Sequence, residues 1–593
     1  MKIGTLEEAL KKFFGYNNFR PDQKEIVEAL LEGKDVVAIL PTGAGKSICY
    51  QLPAMLMPGV AIVISPLISL MQDQVVSLSK NDLPAAFLNS SLPYDEIQSV
   101  MNHLDSYKLL YIAPERFSDP NFIRCLEGVP ISLFAIDEAH CISQWGHSFR
   151  PEYRQLSILK KKFPKSAIIA LTATATRDVE RDITEQLAMT NPFVVKASFD
   201  RPNLTLRIYR RTDRNSQLLE FLAKHPGEAG IIYAATRSSV DEIYTDLQRA
   251  GFKTGKYHAG LSDDERTEAQ HNFVHGECLL MVATVAFGMG IHKPDIRYVV
   301  HVDMPKSIEQ YYQEIGRAGR DGLPSECLML YSAQEIRIYK FFLEKIEDPI
   351  VRRTAETKTE KIYSLCRSTS CRRKELLRYF GENNSPHTCG NCDNCLDDSE
   401  QQDGTIIAQK ILSCVYRLDQ KYGVKHVIDV LRGAKTQSIF QKGHDRLSTF
   451  NLMAEYKETD LRDYIEILID KKLLSRTDGE YPALQWTEAT KSVIHGKEKV
   501  MMPKKIRQVA KRKEEAHHDE ELFKELSQLR RKIALEAQVP AFVVFGDRTL
   551  IEMAKALPTS REEMMEINGV GPIKWQKYGP AFLSTITDYS RKK

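Results

Sequence analysis

The sequence has 593 residues, of which 42% are hydrophobic and 27% are charged, and its formal net charge is +3. This composition is typical of a globular protein, and the length predicts several domains that each bury a core. Because the net charge is small, any surface that binds nucleic acid must be a local patch.

The N-terminal segment MKIGTLEEALKKFFGY predicts an amphipathic helix and lacks the apolar core of a signal peptide. No apolar run approaches the roughly 20 residues that a bilayer-spanning helix needs. We therefore expect a cytoplasmic protein, associated with the nucleoid if it is bacterial.

Short apolar runs alternate with amphipathic stretches through the first 340 residues, which is the pattern of α/β domains. The pattern restarts after the stretch SFDRPNL at 198–204, so we predict two parallel-sheet lobes, at 1–205 and 206–340. The runs that predict buried strands are DVVAIL, VAIVIS, LLYIA, LFAID and AIIALTA in the first lobe and AGIIYAAT, CLLMVAT and IRYVVHVD in the second.

The remaining chain is predicted to be mainly helical. We place a charged helical subdomain at 341–402, a compact module at 403–496 and a small helical domain at 518–593. The basic segment KEKVMMPKKIRQVAKRKEEAHH contributes a linker at 497–517, which is compatible with independent movement of the last domain.

The stretch VVAILPTGAGKS predicts a strand, a turn and the start of a helix, an arrangement whose backbone N–H groups bind phosphate. Lys46 would reach the β- and γ-phosphates and Ser47 would hold Mg²⁺. The strict pattern G-x-x-x-x-G-K-[ST] requires a glycine where this chain has Leu40, and a chance glycine turn is the alternative. The candidate nucleotide ligands in the loop are Thr42, Gly43, Gly45, Lys46 and Ser47.

A second motif, LFAIDEAH, places two acids directly after an apolar strand, at the edge where open α/β sheets bind ligands. Asp137 would bind Mg²⁺ through its water shell, and Glu138 would orient and deprotonate the attacking water. The alternative, two solvated loop acids, is disfavoured by the fully apolar strand before them.

The stretch QEIGRAGRDG at 313–322 supplies the third part of the predicted site. Gln313, Arg317 and Arg320 are three and four residues apart, so a helix would present them on one face. Arginines there would stabilise charge on the transferring phosphate, which makes hydrolysis depend on closure of the two lobes. The alternative is a surface salt-bridge face.

These motifs, with ALTATAT (170–176), resemble those of superfamily 2 helicases and, more narrowly, of RecQ helicases. The resemblance covers nearly the whole chain. It implies two RecA-like lobes, ATP and Mg²⁺ as cofactors, and movement 3′ to 5′ along DNA in repair or recombination. It continues in FRPDQ (19–23), VISPLISLMQDQV (63–75), YIAPERF (111–117), YHAGLSDDER (257–266) and ATVAFGMGIHKPDIR (283–297).

The element FRPDQ resembles the adenine-reading motif of this family. The resemblance implies that the Gln23 amide pairs with the adenine edge, because an amide can bond N6 and N7 together. Tyr16 and Arg20 would pack on or near the ring.

The segment DEAHCISQWGHSFRPEY, at 137–153, resembles the family's acidic motif followed by its aromatic-rich loop. Bases stack on such aromatic side chains, at about 1–3 kcal/mol each. A base that presses on the loop would move Glu138 into line, so DNA binding would switch on ATP hydrolysis. Alternatively, Trp145 and Phe149 are core aromatics. The candidate DNA contacts in the loop are Gln144, Trp145, His147, Phe149 and Arg150.

Four of the eleven cysteines fall within CRRKELLRYFGENNSPHTCGNCDNC. Four thiolates suit a tetrahedral, structural Zn²⁺ site, with a redox pair, a disulfide or an iron–sulfur cluster as alternatives. Cys366 is an alternative fourth ligand, but the resemblance implies that this ligand lies in the CRR segment, at Cys371. The chosen ligands are Cys371, Cys389, Cys392 and Cys395.

Residues 405–496 predict helices followed by a hairpin in LLSRTDGEYPALQWTEAT, which looks like a winged helix. The resemblance implies that the hairpin meets the DNA duplex, so Tyr481 is a candidate strand-separating residue. Lys435, Lys442 and Arg446 would contact phosphates in the family's duplex-binding segment. The alternative is a solvated basic face.

The segment 518–593 resembles an HRDC domain, a small helical bundle. Its stretch INGVGPIKWQKYG resembles the glycine turn of helix-hairpin-helix proteins, in which Gly569 and Gly571 would allow close approach and Lys574 would pair with a DNA phosphate. A protein–protein module is the alternative.

The sequence therefore predicts a DNA helicase that acts on single-strand/duplex junctions and 3′ tails. An RNA helicase is one alternative, because DEAH also occurs in that group. A binding protein that uses ATP only as a switch is another, disfavoured by the intact Glu138 and Arg320. Protein partners such as a single-strand-binding protein are not readable from the sequence.

Overall fold

The computed structural model describes residues 4–592 except 67, 80–81, 90–91, 144–149, 289–292, 383–387, 397–400, 478–481, 504–518 and 538. The chain divides into two compact units. The first comprises Met1–Cys366, Arg372–Asp393 and Glu515–Lys593, and the second comprises Arg367–Cys371 and Asn394–Glu514. Within the described ranges, no helix has the length and apolar character needed to cross a membrane.

The first lobe is built on a sheet whose described strands are all parallel, in the order β3-β4-β2-β5-β6-β1-β7. Its central strands are apolar and fully buried, as helices on both faces require. The strands are β1 (Val36–Ile39), β2 (Val60–Ile64), β3 (Ala85–Leu88), β4 (Leu109–Ile112), β5 (Ile131–Ile136), β6 (Ala167–Thr172) and β7 (Phe193–Lys196).

The helices of the first lobe connect these strands, and the first of them confirms the predicted N-terminal amphipathic helix. They are α1 (Leu6–Phe14), α2 (Gln23–Leu31), α3 (Ile48–Leu56), α4 (Ile68–Ser79), α5 (Tyr94–Asn102), α6 (Pro120–Glu127), α7 (Ile158–Lys162) and α8 (Arg177–Gln186).

The second lobe repeats this architecture with a smaller parallel sheet, in the order β10-β11-β9-β12-β13-β8. Its strands are β8 (Leu204–Arg210), β9 (Ala229–Tyr233), β10 (Thr254–Tyr257), β11 (Leu280–Ala283), β12 (Ile296–His301) and β13 (Ser325–Tyr331). Its helices are α9 (Arg214–Leu222), α10 (Arg237–Arg249), α11 (Asp263–His275) and α12 (Ile308–Ile315).

Two further helical parts follow in the chain. The first consists of α13 (Ala333–Leu343), α14 (Pro349–Arg367) and α15 (Arg372–Tyr379). The second, at the C-terminus, has its own core around Leu522, Phe545 and Phe582. Its helices are α21 (Glu520–Glu536), α22 (Ala541–Val544), α23 (Asp547–Ala556), α24 (Arg561–Glu566) and α25 (Pro572–Lys592).

The second unit is a winged helix, as predicted, with a separate apolar core. A hairpin pairs Leu474 with Trp486, and a second strand pair joins Gln401 to Pro503, just outside the predicted limits of 403–496. Its helices are α16 (Thr405–Arg417), α17 (Val424–Leu431), α18 (Gln437–Gln441), α19 (Glu458–Asp470) and α20 (Thr490–Ile494). Its strands are β14 (Gln401–Asp403), β15 (Leu474–Arg476), β16 (Leu484–Trp486) and β17 (Met501–Pro503).

Residues 389–393, here called the knuckle, lie along the outer edge of β8. The Leu206 N–H donates to the Asn391 carbonyl at 3.3 Å, and the Asp393 N–H donates to the Leu206 carbonyl at 2.8 Å. Leu206 and Cys392 form a parallel bridge. The knuckle therefore extends the sheet of the second lobe by one short strand-like segment.

Candidate nucleotide site and nucleic-acid surfaces

The phosphate loop, residues 41–47, connects the buried strand β1 to α3, as predicted. Gly45 adopts φ +79°, and a Cβ there would lie 2.6 Å from the Gln23 amide nitrogen, so only glycine fits. The Lys46 ammonium donates to the Leu40 carbonyl at 3.2 Å, across the loop. The candidate ligands Thr42, Gly43, Gly45, Lys46 and Ser47 thus share one turn at the carboxyl end of β1.

The predicted adenine-reading element contacts the same loop. The buried Gln23 amide nitrogen donates to the carbonyls of Ala44 and Gly45, each at 3.0 Å. The Arg20 guanidinium donates to the Gly43 carbonyl. Tyr16 is 53% exposed, so its ring is available for stacking. Gln23 and Arg20 thus link the adenine-reading element to the phosphate loop.

The two acids lie at the end of β5, and β6 separates that strand from β1. Glu138 has a left-handed backbone, with φ +47°, which is strained for a residue with a side chain. Burial and the Glu138 carboxylate raise the pKa of Asp137 to about 7, against the opposing effect of Lys46. Burial lowers the pKa of Lys46, and both acids oppose that shift. The three side chains therefore interact electrostatically in one half-buried cluster.

His140 connects the acids to the end of β6. Its Nδ1 lies 3.2 Å from a Glu138 carboxylate oxygen and 3.0 Å from the Thr172 hydroxyl. Although burial opposes it, the pKa of His140 is raised by Cys141 and by Glu138. The imidazole thus holds the Glu138 carboxylate against the ALTATAT segment.

The arginines of the second lobe do not lie on a helix face, so that expectation was wrong. The helix α12 carries Gln313 but ends at Ile315, and residues 316–320, here called the arginine turn, are irregular. The glycines of GRAGRDG explain the difference, because glycine disfavours continuation of a helix. The Arg317 guanidinium donates to the Gly288 carbonyl within its own lobe.

Arg320 reaches the first lobe. A Cβ on Gly43 would lie 3.5 Å from the Arg320 side chain, so that side chain lies against the phosphate loop. Burial and the guanidiniums of Arg317 and Arg201 lower the pKa of Arg320, and the Glu138 carboxylate opposes them. The sequence predicted the same role for Arg317 and Arg320, whereas the structure places only Arg320 against the phosphate loop and bonds Arg317 within its own lobe.

The candidate DNA contacts Gln144, Trp145, His147 and Phe149 lie outside the described residues. Both flanks of that segment are attached to the acidic motif. The Arg150 N–H donates to the Cys141 carbonyl at 3.0 Å, and its guanidinium donates to the Pro66 carbonyl at 3.2 Å. The Tyr153 hydroxyl donates to the Asp137 carbonyl at 3.1 Å. The residues that follow position 149 are therefore bonded to the backbone of the acidic motif.

A largely buried polar network that sequence reasoning missed joins α3 to α4 and β4. The Gln51 amide nitrogen donates to the Gln74 side chain on α4 and to the Tyr111 hydroxyl, each at 2.9 Å. The hydroxyls of Tyr111 and Tyr50 lie 3.4 Å apart. Polar residues amid apolar runs, in SICYQLP and LLYIAP, were the signal that was available.

The four predicted zinc ligands converge. The sulfur atoms of Cys371, Cys389, Cys392 and Cys395 all lie within 4.8 Å of one another. Among the described residues Cys366 lies outside this cluster, with its sulfur 3.5 Å from that of Met329. Four thiolates fit a closed tetrahedral Zn²⁺ site, so the choice of Cys371 is confirmed.

A buried ion pair supports the knuckle. The guanidinium of Arg372 donates to both Asp393 carboxylate oxygens, at 3.0 and 3.2 Å. It also donates to the carbonyls of Leu365, at 2.5 Å, and Cys366, at 3.3 Å. The Asp393 side chain is 0% exposed and that of Arg372 is 4% exposed. A buried ion pair that is joined by two hydrogen bonds fixes the orientation of the knuckle.

The winged helix presents the predicted basic residues. Lys435, Lys442 and Arg446 are exposed on the segment around α18. The Lys442 ammonium lies 4.7 Å from the centroid of the Tyr422 ring. Tyr481, the candidate strand-separating residue, lies outside the described residues. Exposure leaves all three cations accessible, and their contact with DNA phosphates stays a prediction.

In the C-terminal domain, Lys574 lies at the start of α25, with its ammonium 5.8 Å from the centroid of the Phe545 ring. Burial lowers the pKa of Lys574 to about 8. A lysine that is partly desolvated in this way is a weaker candidate for an exposed phosphate contact than the cations of the winged helix.

Comparison with protein families matches successive parts of the chain. The matching models are DEAD/DEAH box helicase at 20–182, Helicase conserved C-terminal domain at 213–322, RecQ zinc-binding at 333–396, RQC domain at 398–511 and HRDC domain at 519–586.

Comparison with whole proteins gives similarities along nearly the full chain. The chain is 42% identical over 589 residues to the ATP-dependent DNA helicase RecQ of Bacillus subtilis (strain 168), covering 99% of each. It is 42% identical to the protein of the same name from Haemophilus influenzae, covering 99% of this chain and 96% of that one. The solved structure of the Mycobacterium smegmatis helicase Lhr bound to ssDNA and AMP-PNP is 15% identical, with a TM-score of 0.47 over 83% of this chain and 61% of that chain.

Proposed function

Because the chain belongs to the RecQ family of ATP-dependent DNA helicases, we propose that it couples ATP hydrolysis to 3′-to-5′ separation of DNA strands in repair and recombination. The observation that carries the hydrolytic part is the position of Arg320, which lies against the phosphate loop from the second lobe. In the first lobe, Lys46 of that loop interacts electrostatically with Asp137 and Glu138 at the end of β5. Groups that act on one phosphate thus come from both lobes, so hydrolysis depends on the approach of the two lobes to each other.

The chemistry follows from the residues of this cluster. Lys46 neutralises the β- and γ-phosphates, and Arg320 stabilises the charge that develops on the transferring group. Glu138 orients the attacking water and accepts its proton. Asp137 and Ser47 would hold Mg²⁺, which supplies further charge neutralisation when bound. The Gln23 amide exchanges its bonds to the loop carbonyls for the adenine edge, with Tyr16 and Arg20 against the ring.

Coupling to DNA is proposed to run through the segment 144–149. A base that stacks on Trp145 or Phe149 displaces the loop, and the bond from Tyr153 to Asp137 transmits that displacement. Because Glu138 already has a strained backbone, a small shift of its neighbour changes the direction of its carboxylate.

The other domains hold the DNA at the junction of single and double strands. The basic surface of Lys435, Lys442 and Arg446 supports phosphate contacts by the winged helix. The zinc cluster stabilises the helical subdomain and takes no part in ATP chemistry. Lys574 and Tyr481 remain candidate contacts whose contribution DNA-binding measurements on single variants would establish.

The test is ATP turnover without nucleic acid, with single-stranded DNA and with RNA of equal length, together with unwinding of duplexes bearing a 3′ or a 5′ tail. We expect strong stimulation by DNA and unwinding only from the 3′ tail. The Glu138→Gln variant should bind ATP and lose turnover, by about 100-fold or more. Stimulation mainly by RNA would favour the RNA-helicase alternative, and turnover indifferent to DNA would refute the coupling.

A further inference from the structure

The segment that joins the two lobes, residues 198–204, contains an arginine that contacts both of them. The Arg201 guanidinium donates to the Thr42 carbonyl in the phosphate loop at 3.0 Å. It also donates to the carbonyls of Ala318 and Gly319 in the arginine turn, each at 2.9 Å. One side chain therefore connects the loop that binds phosphate to the turn that carries Arg320.

The phosphate loop and the arginine turn are also in direct contact. The Thr42 hydroxyl donates to the Gly316 carbonyl at 3.0 Å. A Cβ on Gly316 would lie 2.0 Å from that hydroxyl oxygen, so the two backbones approach as closely as glycine permits. Arg201 lies beside this contact, and its bonds fix the separation of the same two segments.

Asn203 holds the Arg201 side chain in this arrangement. Its amide oxygen accepts a bond from the Arg201 Nε at 3.3 Å, and its amide nitrogen donates to the Gly319 carbonyl at 2.9 Å and to the Leu323 carbonyl at 3.0 Å. The Arg201 guanidinium and the Asn203 amide thus both bind the backbone of the arginine turn. Lysine could not reproduce this, because its donors radiate from one atom.

The opposite side of the joining segment is anchored to the helical subdomain. The Arg373 guanidinium bonds to the Asp200 carboxylate at 2.7 Å, and the Phe199 N–H donates to the Glu382 carboxylate at 2.6 Å. The rings of Phe199 and Phe380 are stacked, with their centroids 4.3 Å apart. These contacts hold in place the two residues that precede Arg201.

We propose that Arg201 is a positioning residue that sets the distance between the phosphate loop and the arginine turn, so that Arg320 reaches the transferring phosphate. The proposal rests on the proposed ATP hydrolysis and adds a residue outside the phosphate loop, the acidic motif and the arginine turn. Arg201 donates to backbone carbonyls, so it acts through the geometry of other groups. It should therefore affect the rate of the chemical step more than the affinity for ATP.

The test compares Arg201→Gln, Arg201→Lys and the matched control Arg214→Gln. The native Arg214 side chain, at the start of α9, pairs with the exposed Glu242 of α10. Turnover is measured with and without single-stranded DNA, and ATP affinity is measured separately with a fluorescent nucleotide. We expect both Arg201 variants to lose kcat by about 10- to 100-fold. Affinity should change less than threefold, and the control should match the unmodified protein.

A double-variant cycle separates positioning from a general loss of structure. If Arg201 acts through Arg320, then adding Arg201→Gln to Arg320→Ala should lower kcat little further. If Arg201 only stabilises the fold, the two effects should multiply, and that outcome would overturn the proposal. Should Arg201→Gln fold poorly, added guanidinium ion should raise the turnover of Arg201→Ala and leave that of the unmodified protein unchanged.

The failure of this proposal is distinguishable from that of the proposed function. An unmodified protein whose turnover does not respond to DNA contradicts the helicase mechanism, whatever Arg201 does. An unmodified protein that responds normally, beside an Arg201→Gln variant with unchanged kcat, contradicts the positioning role alone.

Discussion

Replacement of Asp393 by asparagine would leave the Arg372 guanidinium buried without its counter-ion. The substitution preserves side-chain size and one acceptor oxygen, so it removes mainly charge. Breaking a buried pair in this way typically costs about 3–5 kcal/mol. Because Arg372 keeps its bonds to the carbonyls of Leu365 and Cys366, we expect the lower end, about 3 kcal/mol, which corresponds to roughly a 100-fold change in an equilibrium constant.

Zinc affinity is the appropriate measurement, since metal binding and folding of such a site are linked. Competition against a chromophoric chelator should give an affinity about 100-fold weaker for Asp393→Asn. The matched control is Glu375→Gln on α15, the helix that also carries Arg372. Glu375 pairs with Arg378, which is 59% exposed, so this variant should change the zinc affinity less than threefold. If Asp393→Asn also stays within threefold, the ion pair does not orient the knuckle and the reasoning fails.

Three further predictions concern the lobes. Gly316→Ala should lower ATP turnover at least tenfold, because its Cβ has no space beside the phosphate loop, whereas Gly546→Ala, where no atom lies within 4 Å, should be neutral. Tyr153→Phe should reduce DNA-stimulated turnover about fivefold, the worth of one neutral hydrogen bond, and equal losses with and without DNA would contradict the coupling. Burial raises the pKa of Glu335 from 4.5 to about 7, so its charged form is disfavoured in the fold and its contribution to stability falls as pH rises through that interval. Chemical denaturation should therefore find Glu335→Gln progressively more stable relative to the unmodified protein between pH 5 and pH 8, and the reverse trend would show that its ion pair with Arg211 dominates.

The central strands were predictable because they are continuous apolar runs, and every run chosen from the sequence became a strand. The strands that were missed include the seven-residue, largely buried β8 and β13, as well as two that are short and partly exposed. In β7 only Val195 is buried, and β10 is buried only at Thr254. Such strands take their structure from pairing with a neighbour, which composition does not reveal.

The candidate site was predictable where one motif supplies a whole local structure. The phosphate loop, the paired acids and the zinc cysteines belong to this class. The relative roles of Arg317 and Arg320 were not predictable, because they depend on where α12 ends. From the sequence, Arg201 could be assigned only to the segment that joins the lobes. Its role was not predictable, because its partners are backbone carbonyls more than 100 positions away.

The attachment of the knuckle to β8 has a consequence for the behaviour of the protein in solution. An uncovered edge strand offers unpaired N–H and C=O groups to other chains, which makes it a site of aggregation. The knuckle covers this edge through Leu206 and Asp393, and the zinc cysteines hold the knuckle in its fold. Chelation would therefore expose a strand that recruits further copies of the chain. A metal-stripped preparation is expected to precipitate as β-rich assemblies, so the ion protects solubility as well as fold.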